Sequence, residues 1–197
     1  MSGGLQGRAP DERPHPAGRR NKQGIRIDPE TEAELQPRRT VMSVLVNHEP
    51  GVLARVSGLF SRRQFNIESL TVGPTVDDSL ARITLVVEEP DPGIDQIEKQ
   101  LEKLVCVHAV DELDSDATRR ELALVKVDGA SPDEIHAITE IYGGYVVDAS
   151  ENTVTVELTG SRQKIEAAIE TFDGRFGIRE IARTGAVALE RGAEETT

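Results

Sequence analysis

Tryptophan is absent from this chain, cysteine occurs once, and aromatic residues make up only 3% of it. Any core must therefore be aliphatic and modest, and small cores gain stability from a partner. The lone Cys106 excludes an intramolecular disulfide and a thiolate cluster for zinc. That usage fits a reducing, cytoplasmic setting. No apolar run approaches the roughly 20 residues that span a bilayer, and the N-terminus lacks the apolar stretch of a signal peptide. Membrane association is not expected. Basic residues number 23 against 35 acidic ones, a formal net charge of -12. Generic nucleic-acid binding needs a basic face that this balance does not supply. The four histidines, His15, His48, His108 and His136, share no ligand-like spacing, so no metal site is expected.

What is present is a repeated pattern. Residues 1–37 carry Gly, Pro, Arg and acidic residues with almost no aliphatic period, and read as a disordered tail. Thr40 to Val46 reads as a central strand. Gly51 to Arg63 reads as a helix with Val52, Leu53, Val56, Leu59 and Phe60 on one face. Strands are expected at Phe65 to Val72 and Leu80 to Val87, a helix through Ile94, Ile97, Leu101 and Leu104, and a strand at Val105 to Val110. The order is βαββαβ, the ferredoxin-like arrangement.

Beyond an acidic connector the order recurs. It comprises a strand at Glu121 to Val127, a helix started by Ser131-Pro132-Asp133-Glu134 with Ile135, Ile138 and Ile141 on its face, and a hairpin around Ser150-Glu151-Asn152. Ile165, Ala168, Ile169 and Phe172 mark the last helix, and Phe176 to Leu189 a closing strand broken at Gly185. The expected fold class is α+β, with two tandem ferredoxin-like domains at 38–112 and 119–192. A linker at 113–118 joins them, and a short tail covers 193–197. Open sheet edges invite pairing with a second copy. A homodimer with the first-unit sheets side by side is expected.

The most informative segment is VLVNHEPGVLARVSGLFSRRQFNIESLTVGP, Val44 to Pro74. Its turn Asn47-His48-Glu49-Pro50-Gly51 opens directly onto a helix. Free backbone N–H groups at a helix N-terminus seat a carboxylate, and a glycine lets a ligand approach the backbone. The amides of Gly51, Val52 and Leu53 are the candidate seat. Pro50 shapes the turn but has no N–H to donate. Asn66 of a second copy could accept a bond from the ligand ammonium. The same residues also fit a plain βα turn, with Asn66 as a local turn residue. No phosphate loop of Walker or Rossmann type and no catalytic triad stands out. A ferredoxin-like hydrolase of the acylphosphatase kind needs a cation in the first loop, and Asn47 to Gly51 holds neither Arg nor Lys.

SVLV followed by PGVLARVSGLFSRR, then FNIESLTVG, IEKQLEKLVCV, ELALVKV and FGIREIARTG, resembles the small, regulatory subunit of acetolactate synthase (acetohydroxyacid synthase) over residues 38–192. The resemblance implies an ACT domain at 38–112 and a second ferredoxin-like domain after it. It implies a chain without catalysis of its own. Such a chain binds a branched-chain amino acid, usually valine, between two ACT domains, activates a separate catalytic subunit and transmits feedback inhibition to it. That catalytic subunit carries thiamine diphosphate, Mg and FAD and condenses pyruvate with pyruvate or 2-oxobutanoate; no cofactor is implied for this chain. The family's effector-loop residues fall on Asn47, His48, Gly51, Val52 and Leu53, and its facing strand residues on Asn66, Ile67 and Thr71. Gln64 stands where the family usually has Gly, and His48 where an acid or amide is common. A free-standing ACT-domain amino-acid sensor is the alternative from another class.

The 23 basic residues are 18 Arg and 5 Lys. An acidic excess with so little lysine agrees with adaptation to high salt, where self-repulsion is screened. The melting temperature is expected to fall steeply on moving from molar to low salt, and salt-indifferent melting would contradict that reading.

Overall fold

The computed structural model describes residues 36–192 and Thr196. It also gives the backbone of two short strands, β1 (Arg19–Arg20) and β2 (Arg26–Ile27), paired antiparallel. The rest of the tails expected at 1–37 and 193–197 lies outside the described residues.

The first domain runs β3 (Arg38–Asn47), α1 (Val52–Arg63), β4 (Ser69–Pro74), β5 (Leu80–Glu89), α2 (Asp91–Leu101) and β6 (Val107–Glu112). Its strands form an antiparallel sheet in the order β4-β5-β3-β6. The second domain runs β7 (Thr118–Asp128), α3 (Pro132–Ile141), β8 (Tyr145–Ala149), β9 (Thr153–Gly160), α4 (Arg162–Phe176), β10 (Ile178–Arg183) and β11 (Val187–Leu189). Its sheet order is β10-β7-β9-β8, with β11 also on β7. Each sheet places its first strand beside its third and fourth, the ferredoxin-like order. The last strand breaks after Arg183, and Gly185 takes a φ of 81° there.

Period-2 alternation builds the cores. Met42, Val44 and Val46 of β3 and Ile83, Leu85 and Val87 of β5 meet Val52, Val56, Leu59 and Phe60 of α1 and Ile97 and Leu101 of α2. Val125, Val127, Val156 and Leu158 meet Ile135, Ile165 and Phe172 in the second core. A third cluster joins the domains: Val41 and Val86, on the helix-free face of the first sheet, pack against Leu113, Ala117 and Ala188. Both faces of the first sheet are thus covered. The outer edges of β4 and β6 have no partner strand among the described residues.

Several expectations shift. Phe65 to Ile67 does not join the ladder; Glu68 N–H donates to the Val86 carbonyl at 2.9 Å, and β4 begins at Ser69. Phe65 packs edge-on against Phe60 with ring centroids 6.4 Å apart, so its apolar signal came from core filling rather than strand pairing. The closing strand of the first domain begins at Val107, not Val105, because Val105 and Cys106 form a turn with only Cys106 buried. Ile141 is 78% exposed. Ile135 and Ile138 set the inward stripe of α3, which Tyr142 continues by donating its hydroxyl proton to the Ala167 carbonyl at 3.2 Å. Ser131 precedes α3 without a side-chain cap, whereas the Ser161 hydroxyl accepts the Lys164 N–H at α4. Leu53, placed on the inward face of α1 by its spacing, is 44% exposed. It lies at the end of the stripe, where the helix emerges from the loop.

Two devices near α1 have measurable consequences. Gln64 ends the helix at φ 61°, and its N–H donates to Phe60 and Ser61 carbonyls. A β-carbon in that left-handed region costs about 1 kcal/mol. Gln64→Gly is expected to raise stability by about 1 kcal/mol, read by urea denaturation; an unchanged midpoint would contradict the strain.

Glu68, just before β4, accepts from Arg39 at 2.8 Å and from Arg162 of the second domain at 3.1 Å. The Arg39 guanidinium above all, opposed by partial burial and aided by a hydrogen bond shared with Glu88 and by Arg162, holds the Glu68 carboxyl below the usual carboxylate range. A carboxylate with a lowered folded pKa contributes stability that is full above its unfolded pKa and lost as pH falls through the folded value. Glu68→Gln should therefore be less stable than the parent at neutral pH and equal to it once the pH is low enough to protonate Glu68. Denaturation at stepped pH checks this, and a difference independent of pH would refute it.

Candidate functional site

The loop between β3 and α1 is held from two sides. Asn47 N–H donates to the Cys106 carbonyl at 2.9 Å, and His48 N–H to the Ser79 carbonyl at 2.7 Å. The His48 ring donates from Nδ1 to the Asp78 carbonyl at 3.2 Å. Ser79 is itself fixed, since both its N–H and its hydroxyl donate to Asp77 Oδ1. These bonds hold Asp77's carboxyl below the usual range. The Asn47 side chain accepts from His108 Nε2. Sequence reasoning missed this pairing, because the register that sets β6 beside β3 is not written in the spacing of the two residues.

Glu49-Pro50-Gly51-Val52 closes as a β-turn, with Val52 N–H 3.4 Å from the Glu49 carbonyl. Gly51 has φ 87° and ψ -5°, the i+2 geometry of a type II turn, after a proline at i+1. Here a glycine is required by conformation. The turn delivers the chain into α1 without a side-chain cap, and the first turn of the helix holds no acid. The amides of Gly51, Leu53 and Ala54 have no hydrogen-bond partner among the described residues. An uncapped helix start concentrates partial positive charge on such donors. Above Gly51 there is open space: a β-carbon there would meet nothing within 4 Å.

The expected residues divide into groups. Asn47, His48, Gly51, Val52 and Leu53 come together at the loop. Val52, expected to offer its amide, does not: its side chain is buried and its N–H is taken by the Glu49 carbonyl, while the Leu53 side chain is half in solvent. Asn66 is exposed and lies beyond the far end of α1, and Ile67 packs partly into the first core. The 12 residues of α1 make a helix about 18 Å long, with Gly51 at its start and Asn66 beyond its end. One small ligand cannot touch both within a single chain. Thr71 is not brought to the loop: its hydroxyl donates to the Thr184 carbonyl of the second domain at 3.0 Å. The alternation of β4 carries the explanation, because Leu70 turns into the first core and Thr71 to the opposite face.

Within this geometry the loop has no cation. Arg82, which lies on the helix-free face of the sheet, donates to Ser43 Oγ at 2.6 Å and to the Thr196 carbonyl at 2.8 Å. The site suits a carboxylate met by amides rather than a phosphate met by guanidinium.

Comparisons with known proteins agree with this architecture. The family model for the AHAS small subunit-like ACT domain matches residues 42–109, and that for the small subunit of acetolactate synthase matches residues 120–192. The acetolactate synthase small subunit of Mycobacterium bovis is 45% identical over 161 residues, covering 80% of this chain and 95% of the relative. The acetolactate synthase isozyme 3 small subunit of Escherichia coli is 44% identical over 157 residues, covering 78% of this chain and 96% of the relative. The crystal structure of the Thermotoga maritima acetolactate synthase small subunit superposes with a TM-score of 0.73 at 41% identity, covering 80% of this chain and 99% of that one. With both of its domains matched and most of its length superposed on a solved relative, the chain belongs to the acetolactate synthase small-subunit family.

Proposed function

We propose that this chain is a regulatory subunit that binds a branched-chain amino acid, valine foremost, between the paired ACT domains of two copies, and that it activates and feedback-inhibits an acetolactate synthase catalytic subunit. The observation that carries the effector reading is the uncapped start of α1, where the amides of Gly51, Leu53 and Ala54 lack partners and no acid competes for them. The amino-acid carboxylate is held there by backbone donors and the helix dipole. Its ammonium is met by Asn66 Oδ1 of a second copy, which answers the separation that α1 imposes within one chain. The isopropyl group packs on the exposed side of Leu53, and its burial contributes about 1.5–3 kcal/mol. That is enough to favour valine over alanine, while an added methylene changes affinity by only about 1–3 kcal/mol.

A ligand bridging two copies regulates by favouring one of their relative placements over another. Thiamine diphosphate, Mg and FAD belong, on this reading, to the catalytic partner, and the chemistry is done there. This chain contributes binding and placement, in the cytoplasm where the pathway's substrates are. The free-standing sensor has no observation of its own in its favour.

The test joins two measurements. Mixing the full-length chain with its catalytic subunit should raise acetolactate formation, and valine should then lower it. Turnover of an acyl phosphate by the chain alone, with no effect on the catalytic subunit, would overturn the proposal. Gly51→Asn and Gly51→Asp carry the same left-handed strain with nearly the same shape, and asparagine tolerates that region. The aspartate adds a charge beside the bound carboxylate. The valine concentration for half-inhibition is expected to be at least about tenfold higher for the aspartate than for the asparagine variant, a difference of about 1.4 kcal/mol. Equal sensitivity of the two would remove the amide seat.

A further inference from the structure

Strand β4 serves two neighbours at once. Leu70 packs into the first core, and the residues just before the strand, Asn66 and Ile67, belong to the proposed effector site. The alternate residues, Ser69 and Thr71, engage the second domain. Thr71 Oγ1 donates to the Thr184 carbonyl at 3.0 Å, and Ala186 N–H donates to Ser69 Oγ at 3.3 Å. Between them Gly185, at φ 81°, comes so close that a β-carbon on it would lie 2.2 Å from Ser69 Oγ. One residue before the strand, Glu68 accepts from Arg162 at the start of α4.

Thr184 is also fixed from behind. Its N–H donates to the Leu122 carbonyl at 3.0 Å, and Leu122 N–H donates to Thr184 Oγ1 at 3.1 Å. Leu122 lies on β7, which pairs with β9, β10 and β11. The hydrogen-bonded path from β4 through Thr184 to β7 is continuous.

We propose that this clasp, Ser69 and Thr71 closed on residues 184–186 with the Glu68–Arg162 pair beside it, carries effector occupancy from the first domain into the second. The inference rests on the effector reading above and assigns the route of its regulation. A ligand gripping Asn66 pulls on the chain that leads directly into β4. Hydrogen bonds near 3 Å do not stretch far before they are lost, and the Gly185 contact leaves no gap to absorb a displacement. A shift at Asn66 therefore either moves the second sheet or opens the clasp. Opening is feasible because the groups involved are hydroxyls, backbone polar groups and an ion pair, which exchange their partners for water. Two arrangements of one packed joint are what a transmitted signal requires.

The test uses holoenzyme assembled from the full-length chain and its catalytic subunit, with valine as the probe. Gly185→Ala forces a methyl into Ser69 and holds the clasp open. Arg162→Gln removes the ion pair without touching the 184–186 turn. Half-inhibition by valine is expected to need at least fivefold more valine in Gly185→Ala and about threefold more in Arg162→Gln. Calorimetric affinity of the full-length chain for valine should stay within twofold of the parent. Inhibition like the parent's in both variants would overturn the clasp. So would a loss of valine affinity in step with the loss of inhibition, since the contacts would then only build the site. If Gly185→Ala does not fold, Arg162→Gln decides alone. Failure of the parent chain to bind valine at all would instead strike the effector reading, and shows before any variant is compared.

Discussion

The first sheet is buried on both faces, and this constraint governs what the rest of the chain is free to do. Helices α1 and α2 cover one face, while the connector and β11 cover the other through Val41, Val86, Leu113, Ala117 and Ala188. A doubly covered sheet loses the apolar-polar alternation of a half-exposed one. The near-continuous runs TVMSVLV in β3 and ITLVV in β5 are its mark in the sequence. With the middle of both faces packed, what stays accessible is a cavity on the helix-free face lined by Thr71, Arg82, Thr84, Arg120 and Leu189, the bare edges of β4 and β6, and the ends of strands and helices. The open start of α1 is such an end.

The loop at that end combines rigidity with unmet hydrogen-bonding capacity. Its backbone is tied to the turn before β6 and to the β4–β5 hairpin, and a proline and a left-handed glycine set its turn. What is left over is a set of amide donors aimed outward from a fixed frame. Binding there incurs little ordering cost in the loop itself. On the proposed reading the larger cost falls on bringing Asn66 of a second copy to the same place, and through that cost the ligand would acquire a say in how two chains are arranged.

Most of each helix face, the two βαββαβ units, the break at Gly185 and the turn ending at Gly51 were legible in the sequence, because each rests on local rules of periodicity or backbone conformation. What was hidden depends on contacts between distant segments. The direction of Thr71 follows from the strand's phase against a sheet face, and spacing alone does not say which face meets the second domain. Phe65 and Ile67 look like strand residues because apolar residues fill cores as well as ladders. Ile141 fits an apolar helix face until Tyr142 takes the inward place. The pairing of Asn47 with His108 spans two strands that only the closed sheet makes adjacent.

Cys106 carries one last consequence. It is the only thiol in the chain, 2% exposed, and its carbonyl receives the Asn47 N–H at the root of the loop. A thiol reagent in solution is therefore blind to the closed molecule and reacts only when the packing beneath that loop gives way. The natural sequence thus contains its own chemical clock for local opening at this end of the domain, with no other sulfhydryl to confuse the reading.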